Sequence, residues 1–281
     1  MASELLYLQQ EMKSCRRPAK VLAITSGKGG VGKTNIAANL AICLAASRKR
    51  VLLIDTDLSL GNLDIVMGIH SKYNVSHLLN GRKSIDEIIY TGPEGLEVIF
   101  GASGLENLAN IDEFRRYRLL RELSRLQSDF DAIVIDTAAG ISKLVVGFCL
   151  AADHVLVVTT PEAPAMTDAY AMIKTLVGNG LSGQISVAVN MAATIREGKK
   201  TYRQMANVAQ QFLNTHVYYA GVLLKDERLV NAVRLRKPVV LAYPRARVSS
   251  TLVAIAAKLG NGLTAAPAGE GFFKRVAELF F

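Results

Sequence analysis

Seven apolar runs rich in β-branched residues punctuate the chain: Val21–Thr25, Val51–Asp55, Leu96–Phe100, Ala132–Asp136, His154–Thr159, Ile185–Asn190 and Val217–Val222. They do not alternate polar with apolar positions, so they predict strands buried on both faces. Between them, helical patterns fall at about 33–47, 112–128, 141–151, 167–178, 199–213, 226–236 and 249–259. Strand and helix in regular succession predict an α/β fold, a mainly parallel sheet with helices on both faces. There is no internal repeat, and no apolar run reaches the ~18–20 residues that would span a bilayer.

The rhythm fills residues 19–259 and leaves both ends outside it. Residues 1–18 read as a leader in which Leu5, Leu6, Tyr7, Leu8 and Met12 form a short amphipathic segment before Arg16-Arg17-Pro18. Residues 260–270, rich in Gly, Ala and Pro, read as a flexible linker to a last segment, 271–281. At helical spacing, Phe272, Phe273, Val276, Leu279 and Phe280 share an arc about 120° wide, with Lys274, Arg275 and Glu278 outside it. Such a helix behind a linker predicts a weak, reversible interfacial membrane anchor. The same face can pack on the domain instead, and both hold if the helix docks in a monomer and is released in a dimer.

Composition narrows the classes. A chain of 281 residues with 50% hydrophobic positions suits one large domain and excludes global disorder. Residues 1–18 lack the central apolar block of a signal peptide, which predicts a soluble, cytoplasmic protein. The cysteines Cys15, Cys43 and Cys149 are far apart and the four histidines share no ligand-like spacing, so neither a disulfide framework nor a zinc site is expected. The net charge of +9 favours anionic partners. Its excess gathers late, at Lys225, Arg228, Arg234, Arg236, Lys237, Arg245, Arg247 and Lys258, a pattern more often a solvated face than a nucleic-acid site.

The chemistry begins after the first strand. Ser26 is followed by Gly27, Lys28, Gly29, Gly30, Val31, Gly32, Lys33, Thr34 and Asn35, and then by a helix-forming stretch. Glycines let a backbone wrap closely enough to aim N–H groups at phosphate oxygens, and the helix adds its positive end. This is a P-loop in the strand–loop–helix setting that it requires. It predicts ATP and Mg²⁺ as ligands, with Lys33 on the phosphates and the Thr34 hydroxyl on the metal. Two further strands end in carboxylates, Asp55 followed by Asp57, and Asp136. Strand ends of a parallel sheet are where ligands bind.

Lys28, a second lysine at the start of the loop, resembles the signature of the MinD/ParA-type deviant P-loop ATPases. The resemblance implies that two subunits sandwich two nucleotides and that Lys28 reaches the partner's, neutralising transition-state charge as an arginine finger does. It implies that Asp57 orients the attacking water and sits near the metal, that Asp55 supports the loop or metal, and that Asp136 holds Mg²⁺ in a Walker B strand. Thr137-Ala138-Ala139-Gly140 resembles the family's switch II, with Gly140 sensing the γ-phosphate through its backbone. Asn190 stands where the family contacts adenine, although a buried asparagine serves equally to satisfy backbone groups. Asp226 falls in a second base-side loop, where Leu224-Lys225 departs from the family's usual proline.

The distal blocks are similar to those of FlhG/FleN flagellar number regulators: Thr167-Asp168-Ala169-Tyr170-Ala171-Met172-Ile173-Lys174, Asp136–Ile141, Asn190-Met191-Ala192, Glu197-Gly198, Arg234–Pro238 and Tyr243-Pro244-Arg245. That resemblance spans roughly residues 20–280. It implies a slow, dimer-dependent ATP hydrolase acting as a switch over flagellar number or placement, peripherally associated with the inner face of the membrane. The implied partners are a second copy, an FlhF-type GTPase, C-ring proteins, a FleQ-type σ54-dependent activator and an anionic membrane surface. No direct nucleic acid is expected. The alternatives are a MinD-type division-site selector and a ParA-type partition ATPase using the basic 225–258 surface. An iron–sulfur carrier is disfavoured, because Cys149 alone near switch II is no ligand set.

Overall fold

The strand-forming runs assemble into an eight-stranded sheet in the order β3-β4-β2-β5-β1-β6-β7-β8. The structure is a computed structural model, and it describes residues 18–57, 61–101, 121–262 and 272–280. The strands are β1 (Lys20–Thr25), β2 (Val51–Asp55), β3 (Ile89–Thr91), β4 (Glu97–Ile99), β5 (Ala132–Asp136), β6 (His154–Thr159), β7 (Gln184–Ala192) and β8 (Tyr218–Leu224). Neighbours are parallel except β3 with β4. β3 is the strand that hydrophobic pattern does not disclose. It is three residues long at the sheet edge, and it turns back on β4 through Glu94 and Gly95, both at positive φ.

The helices are α1 (Lys33–Ala46), α2 (Leu63–Met67), α3 (Val75–Leu79), α4 (Lys143–Ala151), α5 (Ala163–Gly178), α6 (Ile195–Leu213), α7 (Glu227–Arg234), α8 (Val239–Ala242), α9 (Arg247–Gly262) and α10 (Phe272–Phe280). Of the helix expected at 112–128, residues 121–126 are described and helical. Of the leader 1–18, residues 1–17 lie outside the described residues, as do residues 263–271; residues 260–262, expected to begin the linker, instead continue α9 as helix. Two helices begin four residues earlier than their apolar period suggests, for capping reasons. Thr194 Oγ1, at the N-cap, accepts the Glu197 N–H at 3.1 Å, and the Glu197 carboxylate takes the Ala193 N–H just before the cap at 2.7 Å, so the two side chains tie down the start of α6. α5 opens with Pro164 in its first turn, where the missing N–H costs nothing.

Every central strand is covered twice, which is why its residues read as unbroken apolar runs. Val21 and Ala23 of β1 face a core shared with α4, α5, α6 and α10, whereas Leu22 and Ile24 face one shared with α1, α8 and α9. β1 lies between β5 and β6, so the chain leaves it in opposite directions on its two sides. That strand-order reversal opens a crevice at the carboxyl ends, and the loop after β1 occupies it.

The last helix is docked. Phe272, Phe273 and Val276 are buried, with Phe272 stacked on Phe148 of α4 at a ring-centroid distance of 6.3 Å. Arg275 reaches Asp153 at 3.5 Å, and the same carboxylate takes the Val21 N–H at 2.8 Å. Phe272, Phe273 and Val276 of the apolar arc therefore face the domain here, while Leu279 is exposed.

Candidate functional site

The loop between Thr25 and Lys33 is shaped as much by protein as by any ligand it holds. Gly32, the N-cap of α1, sits at φ 89°, where a side chain is strained. A Cβ there would overlap the side-chain amide of Asn190. That amide, buried at the end of β7, donates to the Val31 carbonyl at 2.8 Å. Asn190 thus braces the phosphate loop's backbone, the second of the two roles that its sequence position allows. Gly27 is needed for close approach: a Cβ there would run into the Asp168 backbone in the first turns of α5. Ser26 Oγ donates to the Lys28 carbonyl at 2.8 Å and tightens the turn.

The carboxylates meet across the sheet. Register pairs Asp55 of β2 with Asp136 of β5, and Asp136 with Ile24 of β1, so both acids lie directly beneath the loop. Lys33 Nζ lies 3.7 Å from Asp136 Oδ1. Asp55 Oδ1 accepts the Asp57 N–H at 2.9 Å, which fixes the start of the following loop, of which residues 58–60 lie outside the described residues. Burial, and then the neighbouring Asp136, hold the Asp55 carboxyl well above the usual carboxylate range. Burial likewise raises Asp136, opposed by Lys33 and the Thr34 hydroxyl. Two sequence-silent contacts complete the floor. Thr56 Oγ1 donates to the Asp136 carbonyl at 3.0 Å, and Thr137 Oγ1 to the Ile24 carbonyl at 3.1 Å.

The two lysines of the loop point in opposite directions. Lys33 is turned inward to Asp136, whereas the Lys28 side chain is 41% exposed and pairs with Glu162 at 3.3 Å. Glu162, immediately before α5, is a site residue that motif reading missed. Its one signal was an acid next to the Ala163-Pro164 helix start at a strand's carboxyl end. Around this rim Ile141 and Met191 are exposed apolar side chains. The Gly140 N–H, expected to sense a γ-phosphate, is engaged by the Ser26 carbonyl at 2.9 Å, so sensing requires that bond to break. Asp226 does not converge on the loop; it caps α7 by accepting the Arg228 N–H at 2.9 Å.

The donor set suits a magnesium–nucleotide pair. Asp136 Oδ1 is buried with no hydrogen-bond partner, the kind of orphan that a cation satisfies. Among the described residues no three acidic, histidine or cysteine side chains form a closed cage. Magnesium needs none, because it takes one or two protein oxygens and fills its shell from phosphate and water. Thr34 and Asp136 would hold it, and Lys33 with the loop's N–H groups would hold the phosphates.

Comparison with known proteins gives the family and the fold. A family model described as an AAA domain matches residues 19–180. The antiactivator FleN of Pseudomonas aeruginosa is 36% identical over 264 residues, 93% of this chain and 94% of that protein. The flagellum site-determining protein YlxH of Helicobacter pylori is 36% identical over 264 residues, 92% of this chain and 89% of its own length. Among solved structures, MinD from Pyrococcus horikoshii complexed with Mg-ADP superposes with a TM-score of 0.73 at 23% identity, covering 89% of this chain and 100% of that one. The chain belongs to the FleN/FlhG group of MinD/ParA-type P-loop ATPases.

Proposed function

We propose that the protein is an ATP-driven dimerising switch that sets flagellar number or placement. The observation that carries the mechanism is the divergence of the two P-loop lysines. Lys33 is directed at Asp136 within its own site, while Lys28 stands at the rim, held by the exposed Glu162 and open to a group arriving from outside. Two such rims face to face give each nucleotide a Lys28 from the opposite subunit, and the exposed Ile141 and Met191 give the rims apolar contact.

Within each site the loop N–H groups and Lys33 bind and orient the phosphates, and Thr34 with Asp136 would hold Mg²⁺. Bound Mg²⁺ supplies charge neutralisation on the transferring phosphoryl group. Asp57, positioned by Asp55, orients the attacking water, and Asn190 keeps the loop in shape from beneath. Hydrolysis is slow and resets the switch to the monomer.

The output follows from the relatives. FleN is by name an antiactivator and YlxH a flagellum site-determining protein. The partners proposed for this chain are a FleQ-type activator, an FlhF-type GTPase and C-ring proteins. At the membrane, α10 acts as a releasable anchor: two weak anchors brought together by dimerisation bind far better than one. α10 packs on α4, which begins directly after switch II, so the nucleotide site and the anchor share a helix.

The test is Lys28→Ala, expected to bind ATP as a monomer while losing dimer-dependent turnover. Wild-type turnover in this variant would refute the sandwich mechanism. Asp57→Ala is expected to elute as a stable dimer with Mg-ATP. Removal of residues 271–281 is expected to abolish ATP-dependent cosedimentation with anionic liposomes, and unchanged cosedimentation would refute the anchor.

A further inference from the structure

The basic surplus of the chain is concentrated on one surface that the switch mechanism does not use. Strand β8 ends at the nucleotide side of the sheet, and α7, α8 and the start of α9 follow there. This segment carries Arg228, Arg234, Arg236, Lys237, Arg245 and Arg247, all exposed. None of these six side chains has an acidic partner among the described residues. Interleaved with them, Val230, Val233 and Leu235 are exposed aliphatic side chains, Leu235 to 64%.

Arg236 is the informative residue. α7 ends with the Arg236 N–H donating to the Val233 carbonyl and the Lys237 N–H to the Ala232 carbonyl, both at 3.0 Å. That pair of bonds closes a helix in which the residue after the C-cap Leu235 is left-handed, a position ordinarily filled by glycine. Here arginine occupies it at φ 51°. A strained backbone retained where glycine would relax it points to a role for the side chain. The segment is also held rigidly. The Val240 N–H donates to Asn39 Oδ1 of α1 at 3.0 Å, and the turn at Gly68 lies so close to the Arg236 carbonyl that a Cβ would overlap it.

We propose that α7 and the segment through Arg247 form a docking surface for an acidic, aliphatic-bearing protein segment, and that this segment belongs to the activator restrained under the proposed function. The inference rests on that function. A second copy presenting this same face would set six exposed cations against six, so the face does not suit its own counterpart. Lipid is disfavoured because α7 is eight residues long and buries Ala232 against the domain, leaving too little free apolar face to insert. Nucleic acid would find the cations but leave three aliphatic side chains unmatched, whereas arginine beside aliphatic groups is the composition of protein interfaces.

The experiment uses the full chain with Mg-ATP and the purified cognate σ54-dependent activator, with binding followed by biolayer interferometry across a salt series. Arg236→Gly is expected to raise the thermal midpoint, since glycine takes positive φ freely, and to weaken activator binding about fivefold or more. Arg234→Glu with Lys237→Glu is expected to weaken it by at least about tenfold, with ATP turnover unchanged. Activator binding equal to wild type in both variants overturns the surface and leaves the proposed function standing. Failure of the wild-type chain to bind the activator overturns that function, and this inference with it. Variants that keep the activator but lose retention of duplex DNA, or of phosphatidylserine vesicles, overturn the assignment in favour of nucleic acid or lipid.

Discussion

Replacing Gly32 by alanine tests the claim that protein contacts, and not only phosphate, dictate the shape of the loop. The substitution imposes two separable penalties. A side chain at φ 89° costs roughly 1–2 kcal/mol. The new Cβ also displaces the Asn190 amide, breaking its 2.8 Å bond to the Val31 carbonyl. Leaving a buried acceptor unsatisfied costs about 1–3 kcal/mol. The two act on one site and are not independent, so the expected total is roughly 2–4 kcal/mol. For a domain of this size that lowers the thermal midpoint by roughly 4–10 °C, measured by calorimetry without nucleotide and with EDTA. The decisive form is a double-mutant cycle with Asn190→Ala. With the amide removed there is nothing for the Cβ to strike, so the double variant should fall short of additivity by at least about 1 kcal/mol. Additive single and double variants would refute the brace.

Three further predictions rest on different parts of the molecule. His154 is buried on β6 with Nε2 2.8 Å from Ser186 Oγ, and burial pushes its imidazole down to about 4. The unfolded chain protonates this residue near pH 6.5, so its contribution is present above that pH and is lost as pH falls toward 4. At pH 5 the loss relative to neutral pH is about 2 kcal/mol. His154→Gln should flatten the stability curve between pH 7 and 5, and parallel curves for the two proteins would contradict it. Glu162→Gln removes the carboxylate that holds Lys28 and should shift ATP-dependent dimerisation to lower protein concentration without moving the thermal midpoint, because exposed ion pairs contribute little; unchanged dimerisation by light scattering refutes a holding role. Asp153→Asn keeps an acceptor for the Val21 N–H but weakens the tie to Arg275, so hydrogen exchange should quicken in α10 and stay constant in β1. Equal protection of α10 in both proteins would place its docking on the phenylalanines alone.

Elements whose residues are repeated in kind were legible in the sequence. Doubly covered strands such as Ala132–Asp136 announce themselves by unbroken apolar runs, and the P-loop by glycines that few other structures need at that spacing. What stayed hidden depends on encounters between distant segments. Nothing local in Asn190 says whether it will meet a base or the Val31 carbonyl, since either demands a buried amide at a strand end. Asp226 reads as an acid of a base-side loop, and the fold uses its carboxylate to cap α7. β3 is too short to carry a period, and its pairing exists only because β4 lies beside it. Glu162 acquires meaning from Lys28, 134 positions away.

The placement of α4 joins the site to the C-terminal helix by necessity. Its N-cap, Ser142, lies two residues after Gly140, whose N–H is held by the Ser26 carbonyl, and its Phe148 stacks on Phe272. A nine-residue helix with its core face packed moves as a body, not by continuous deformation. Any nucleotide contact that draws the Gly140 N–H away from Ser26 therefore acts at one end of α4, and any membrane that draws off Phe272 acts at the other. Linkage makes such an effect mutual: a membrane that favours the released helix must strengthen nucleotide binding by the same factor by which nucleotide favours release. The proposed anchor and the proposed switch thus stand or fall on one measurable reciprocity. Liposomes should tighten ATP binding by the wild-type chain and leave a chain lacking residues 271–281 unaffected.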